Sequence, residues 1–202
     1  MSHYFDQEPS AGHQEKSITV ALAGQTFSFT TDRAVFSRQR LDYGSSLLIE
    51  TVLRDHPAKT GRLLDLGCGY GAVGIIMKRL RPALSVVLCD INERALALAR
   101  RNALDNQARY IDIIHSDGLA AVSGCFDLIL TNPPVRAGKK TVYRFFNESA
   151  DRLLPGGALY LVLRKHQGAP SAIRYLETRF HSVAVIERSA GFWVVKATQN
   201  NG

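Results

Sequence analysis

The sequence predicts an α/β fold: a mostly parallel β-sheet covered by helices on both faces, with a β-hairpin in front of it. Three observations carry that prediction. Beyond Pro57 the chain repeats a strand-then-helix rhythm, the pattern of a sheet built by crossover connections. Runs such as Ser85 to Asp90 and Ala158 to Leu163 are nearly continuous in apolar residues, as strands buried on both faces are. The chain has 202 residues, 46% of them hydrophobic, which suffices for one domain with a full core.

Residues 1–16 form a polar lead-in. Ile18-Thr-Val20 and Thr26-Phe-Ser-Phe-Thr30 then alternate apolar with polar around Gly24-Gln25, which predicts a short hairpin, a lid or edge element. Apolar residues at helical spacing predict a helix over Tyr43 to Leu53, with Asp42 as its N-cap. We read residues 1–56 as a segment packing on a core formed by residues 57–202, together one structural domain.

Within that core, Arg62 to Leu66, Ser85 to Asp90, Tyr110 to His115, Phe126 to Thr131 and Ala158 to Leu163 read as strands. Ala72 to Leu80, Glu93 to Leu104, Lys140 to Leu153 and Ala172 to Thr178 read as helices. Pro155-Gly156-Gly157 marks a turn. The last two runs, Val183 to Glu187 and Phe192 to Ala197, meet at Ser189-Ala190-Gly191 and predict an antiparallel hairpin closing the sheet.

Several function classes are disfavoured at once. Cys68, Cys89 and Cys125 are odd in number and widely spaced, so neither a disulfide framework nor a zinc ribbon is expected. The histidines at 3, 13, 56, 166 and 181 lack metal-ligand spacing, and no metal is expected. The N-terminus lacks the apolar stretch of a cleavable signal. The longest apolar run falls far short of the roughly 18 residues that span a bilayer. A cytoplasmic protein without a membrane partner is the expectation. His115-Ser116-Asp117 is no nucleophilic triad, because consecutive residues cannot form the required chain of hydrogen bonds.

The formal net charge is +7, which makes a polyanionic partner plausible. Its placement is more informative than its size. Residues 1–131 hold 14 Lys and Arg against 14 Asp and Glu, whereas residues 132–202 hold 11 against 4. Arg136, Lys139, Lys140 and Arg144 follow one another there, either flanking an RNA strand or forming a solvated helix face.

The segment Asp65-Leu-Gly67-Cys-Gly69-Tyr-Gly71 joins the first core strand to its helix. Glycines there let the backbone turn sharply and approach a ligand, above a helix N-terminus with unpaired N–H groups. Gly67, Gly69 and Ala72 also fit a dinucleotide pattern, and a bare glycine turn needs no ligand at all. Asp65 argues against a pyrophosphate, which its charge would repel, and for a cationic group. Asp90, at the end of the second core strand, is placed to accept from ribose hydroxyls or to cap the next helix. Asp117, after the third, can accept from an adenine amino group.

Asn132-Pro133-Pro134 follows the apolar strand Phe126 to Thr131. Two prolines fix φ and bring no N–H of their own, so nearby carbonyls can face a ligand, though the tripeptide also reads as a rigid loop start. An exocyclic base amine is a poor nucleophile because its lone pair is delocalised into the ring. Acceptance of its two N–H bonds by the Asn132 side chain and the Pro133 carbonyl would orient that lone pair and stabilise developing positive charge.

Asp65-x-Gly-x-Gly-x-Gly, Asp90 and Asn132-Pro-Pro, each at a strand end and in that order, resemble the class I S-adenosylmethionine-dependent methyltransferases. Val35-Phe36-Ser37, Leu41-Asp42-Tyr43-Gly44-Ser45, Asn132-Pro133-Pro134 and Lys165-His-Gln-Gly-Ala169 extend the resemblance, over roughly Tyr4 to Ala197, to a small-domain group. That group includes the small-subunit ribosomal RNA guanine-N2 methyltransferases. It implies a Rossmann-like, seven-stranded sheet whose last strand is antiparallel, with S-adenosyl-L-methionine as cofactor.

By match to the motifs, Asp65, Gly67, Gly69 and Gly71 hold the methionine end of the cofactor, with Gly44 and Ser45 lining that side. Asp90 takes its ribose and Asp117 its adenine. Asn132 and Pro133 are the catalytic pair, and Pro134, Phe36, Arg136, Lys139 and Lys140 complete the substrate surface. Many amine-directed members carry an aromatic residue where this chain has Val135, so Phe36 is the candidate stacking face. The best-known guanine-N2 enzymes carry an additional N-terminal domain, for which these 202 residues leave no room. The expected activity is N-methylation of an exocyclic amine of RNA, most specifically guanine N2 of small-subunit ribosomal RNA or a ribosomal particle. Adenine N6, a protein glutamine amide, and a non-catalytic RNA-binding role on the same fold are the alternatives.

Overall fold

The computed structural model describes residues 15–32, 41–57, 59–134 and 138–200. Phe36, Val135 and Arg136 lie outside them. The chain opens on a hairpin of β1 (Glu15–Leu22) and β2 (Gln25–Asp32), followed by α1 (Tyr43–Asp55). The core then alternates β3 (Gly61–Leu66), α2 (Ala72–Leu80), β4 (Leu84–Asp90), α3 (Glu93–Asp105) and β5 (Ile111–His115). It continues with β6 (Phe126–Thr131), α4 (Lys139–Arg152), β7 (Leu153–Arg164), α5 (Ala169–Leu176), β8 (Ser182–Ser189) and β9 (Phe192–Thr198).

The main sheet has seven strands in the order β5-β4-β3-β6-β7-β9-β8. β9, the last strand of the chain, lies antiparallel between β7 and β8; the other pairings of the sheet are parallel. The Rossmann-like α/β fold expected from the sequence is therefore present, hairpin included.

The continuous apolar runs are used on both faces. Leu63, Val86, Leu88, Leu128 and Tyr160 join a core with α1, α2, α3 and the hairpin, while Leu64, Val87, Ile129 and Leu161 join another with α4 and α5. Side chains alternate across a strand, so each strand must be apolar at every position to feed two cores.

The hairpin forms its own two-stranded sheet and packs on α3 rather than extending the main sheet. Its edge is closed by side-chain amides. Asn102 accepts from the Thr30 N–H at 2.7 Å and donates to the Thr30 carbonyl at 3.0 Å; Asn106, one helical turn on, does the same for Ser28. Asn102 also donates to the carbonyl of Tyr70 at 2.9 Å, which ties α3 to the glycine loop.

Several boundaries differ from the sequence reading by a residue or more, and two of the shifts have a clear physical reason. β7 begins at Leu153 and runs through Pro155-Gly156-Gly157, because those residues bulge within the ladder: Phe126 faces Leu153, but Leu128 already faces Ala158. α5 begins at Ala169, since Pro170 suits a first helical turn. No helix among the described residues is long and apolar enough to cross a membrane.

Candidate active site

The carboxyl ends of β3, β4, β5 and β6 meet at one edge of the sheet, where strand order reverses direction between β3 and β6. That is where open α/β sheets bind ligands. Gly67, Gly69 and Gly71 all have left-handed φ, of 72°, 55° and 88°, which an L side chain rarely adopts. The loop is held from below by the Cys89 carbonyl, which accepts from the N–H groups of Gly67 at 2.9 Å and Cys68 at 3.0 Å. A Cβ at Gly69 would meet nothing within 4 Å, so the loop's outer side is open.

Asp65, the second-last residue of β3, lies beneath this loop, 2% exposed, and its Oδ2 accepts from the Gly74 N–H in the first turns of α2 at 2.8 Å. Burial pushes its carboxyl up to about 7, against the lowering effect of that hydrogen bond, and Asp90 adds to the rise. Gly74 itself escaped the sequence reading. A Cβ there would stand 2.1 Å from Leu88 Cδ2, so α2 reaches β4 only because this residue has no side chain.

Asp90 Oδ2 accepts from the Gly69 N–H at 2.8 Å, and its Oδ1 accepts from the Asn92 N–H at 2.9 Å. Burial raises its pKa, and these backbone donors oppose the rise. Asn92, not Asp90, caps α3. Asp117 is exposed and makes a two-pronged pair with Arg144 of α4, which holds its carboxyl below the usual range. The expected adenine contact must share Asp117 with that guanidinium. Glu148, one turn further along α4, accepts from the Leu119 N–H at 2.9 Å, so α4 grips the whole loop after β5. Cys68 and Cys89 are thiols whose pKa burial pushes up, Cys89 to about 12, and neither suits nucleophilic work.

β6 delivers the second motif. Thr131 donates its hydroxyl to the Leu66 carbonyl at 2.8 Å, which sets Asn132 directly beside the start of the glycine loop. Asn132 is half-buried and Pro133 buried. The Asn132 Nδ2 donates to Asp42 Oδ1 and to Ser45 Oγ, both at 3.1 Å. Ser45 therefore lies against the Asn132-Pro133-Pro134 segment, and Gly44 beside it faces the Phe192 ring, 3.0 Å from where a Cβ would stand. Tyr43 is 47% exposed and packs on Phe192 at 5.7 Å, and Arg164 covers the Phe192 ring at 4.4 Å. This aromatic and cationic surface, drawn from three distant segments, had no sequence signal. Lys139 and Lys140 are exposed at the start of α4, whereas Arg144 is engaged with Asp117 and Glu148.

Residues 26–196 match the family model of the methyltransferase small domain. The chain belongs to that family. It is accordingly an S-adenosylmethionine-dependent methyltransferase domain. It is 39% identical over 197 residues to the uncharacterized protein YbxB of Bacillus subtilis (strain 168), covering 96% of this chain and 97% of that one. It is 37% identical over 164 residues to ribosomal RNA small subunit methyltransferase C of Pasteurella multocida (strain Pm70), covering 79% of this chain and 48% of the relative. The chain thus spans about half the length of that named relative. Among solved structures it is similar to the T. thermophilus 16S rRNA N2 G1207 methyltransferase (RsmC) in complex with AdoMet and guanosine, with a TM-score of 0.83 and 26% identity over 96% of this chain and 52% of that one.

The residues present fit the cofactor. The loop is open at Gly69, and the acidic groups below it suit a ligand that is cationic at its amine and sulfonium and offers ribose hydroxyls.

Proposed function

We propose that this protein methylates the exocyclic N2 of a guanine in small-subunit ribosomal RNA, in the cytoplasm where ribosomes are assembled. The observation that supports this best is the hydrogen-bonding state of Asn132: both its N–H groups point to Asp42 and Ser45, which leaves its carbonyl oxygen to accept from an incoming amine. S-adenosylmethionine, when bound, supplies a methyl group on a positively charged sulfur. Asp65 and the loop Gly67, Gly69 and Gly71 hold its methionine end, and Asp90 and Asp117 its nucleoside end. Asn132 Oδ1 and the Pro133 carbonyl accept the two N–H bonds of the base amine, turning its lone pair toward the methyl.

With the cofactor bound, the methyl's bond to sulfur would break as the N–C bond forms, leaving the neutral thioether S-adenosylhomocysteine, and both oxygens would stabilise the positive charge growing on the amine nitrogen. The proton leaves to water after transfer, so no base poised near neutral pH is needed. Gly44 and Ser45 close the site from α1. Tyr43 and Phe192 offer an aromatic face for the base, and Pro134, Lys139 and Lys140 flank the RNA strand that carries it; the sequence candidates Phe36 and Arg136 lie outside the described residues.

The test is radiolabelled methyl transfer from S-adenosylmethionine onto small-subunit particles, naked ribosomal RNA, DNA and protein, with nucleoside mapping in cells lacking the protein. N2-methylguanosine missing from small-subunit RNA is the expected result, and label confined to protein or DNA would sink the reading. Asn132→Ala should keep cofactor affinity while turnover drops about 10²–10³-fold, the scale of one preorganised polar group.

A further inference from the structure

A side-chain amide is nearly symmetric in shape and opposite in chemistry at its two ends. Rotated by half a turn, Asn132 would present an NH₂ group to the acceptor amine, donor against donor, and the base would no longer be held. Something must therefore decide which end faces the site. The Asn132 Nδ2 has two neighbours, Asp42 Oδ1 at 3.1 Å and Ser45 Oγ at 3.1 Å. The Ser45 hydroxyl can donate or accept, so it tolerates either orientation. A carboxylate can only accept, so the reversed amide would set its carbonyl oxygen against the Asp42 anion.

We propose that Asp42 is the positioning residue that fixes the Asn132 amide with its carbonyl toward the acceptor amine. Asp42 is itself held firmly. It is the N-cap of α1: its Oδ1 accepts from the Ser45 N–H at 3.0 Å, and its own carbonyl accepts from the Ser46 N–H at 3.1 Å. One carboxylate oxygen thus caps a helix and orients a residue 90 positions away in sequence. Gly44 makes room for this, since a Cβ there would lie 3.1 Å from that same oxygen and 3.0 Å from Phe192.

The charge does a second thing. An anion at the N–H end of the amide polarises it, drawing negative charge onto the carbonyl oxygen, which is where positive charge develops opposite during transfer. Asp42 acts through Asn132 and touches neither reactant.

This inference rests on the reading of Asn132 as the acceptor-holding residue, and the experiment separates the two. Asp42→Asn leaves an oxygen in the cap position, held there by the Ser45 N–H, so it still accepts from the Asn132 Nδ2 and should keep kcat within about threefold of wild type. Asp42→Ser also caps the helix, but its shorter side chain withdraws the acceptor-only oxygen from the Asn132 amide, and it should lower kcat on the order of 10–100-fold, the scale of losing orientation at a reacting centre. The calorimetric affinity for S-adenosylmethionine and the melting temperature should stay at wild-type values in both variants. A purely structural role for Asp42 predicts that kcat falls only together with the melting temperature, and that result would overturn the proposal. Should Asn132→Ala keep full turnover, the reading of Asn132 fails as well. Should Asn132→Ala be inactive while Asp42→Ser matches wild type, the inference about Asp42 alone is lost.

Discussion

Asp65, proposed above to hold the methionine end of the cofactor, would couple cofactor binding to pH. Its pKa stands at about 7, chiefly because burial penalises the charge, with Asp90 adding repulsion. Raised above the unfolded value, it leaves the native state holding more protons than the unfolded chain between about pH 4 and 7. Stability from this group is therefore present at low pH and is lost as pH rises toward 7. A cationic amine beside it favours the ionised form, so cofactor binding should expel a proton. Affinity for S-adenosylmethionine should strengthen as pH rises toward about 7 and level off above it, and Asp65→Asn should flatten that dependence. Calorimetry at pH 6.5 in two buffers of different ionisation enthalpy measures the proton directly; equal apparent heats in both would exclude this linkage. Asp90 is engaged differently. Two backbone donors already satisfy part of its carboxylate, yet its four lone-pair directions leave room for ribose hydroxyls.

Elements and their order were legible because apolar runs of strand length separate amphipathic runs of helix length, and the glycine loop announced itself by spacing. Contacts between distant elements were not. Nothing in the sequence pairs Asp117 with Arg144, or Asp42 with Asn132, because a side chain's partner is set by the sheet order that brings two strand ends together. Gly74 is the instructive case at this scale. The sequence pattern G-x-G-x-x-A drew attention to Ala72, but the helix meets the sheet two residues later, where only a hydrogen fits against Leu88. Gly74→Ala should destabilise the protein by about 1–3 kcal/mol, the usual cost of overpacking, despite the better helix propensity of alanine. It should also shift the N–H that Asp65 accepts, so weaker cofactor binding should accompany the lower denaturation midpoint. A midpoint at or above the wild-type value would mean that α2 can slide along the sheet and that its register is not fixed at Gly74.

Across the whole molecule, the fold sets two groups of cations apart within the positive surplus of the last third. Arg144 pairs with Asp117, Arg179 with Asp151 at 3.2 Å, and Lys196 with Asp55 at 2.7 Å, so these cations hold elements together. Lys139 and Lys140 are exposed after β6, and Arg164 and Lys165 are exposed at the end of β7. β6 and β7 are parallel neighbours, so both pairs rim the edge that carries Asn132. On the proposed reading, the field that a polyanion meets is concentrated around Asn132, while the loops proposed to hold the cofactor carry Asp65, Asp90 and Asp117. Reversing both lysines, Lys139→Glu with Lys140→Glu, should weaken RNA binding and leave S-adenosylmethionine affinity unchanged. The plot of log affinity against log salt should become shallower by about 0.7 for each phosphate of a single-stranded RNA that the variant no longer neutralises. Arg144→Glu is the contrasting variant. It breaks the grip of α4 on the loop after β5 and sets a second anion against Asp117, so its main effect should fall on cofactor binding. An unchanged salt slope in the lysine variant, or a larger drop in RNA affinity from Arg144→Glu than from the lysines, would move the RNA path away from the start of α4.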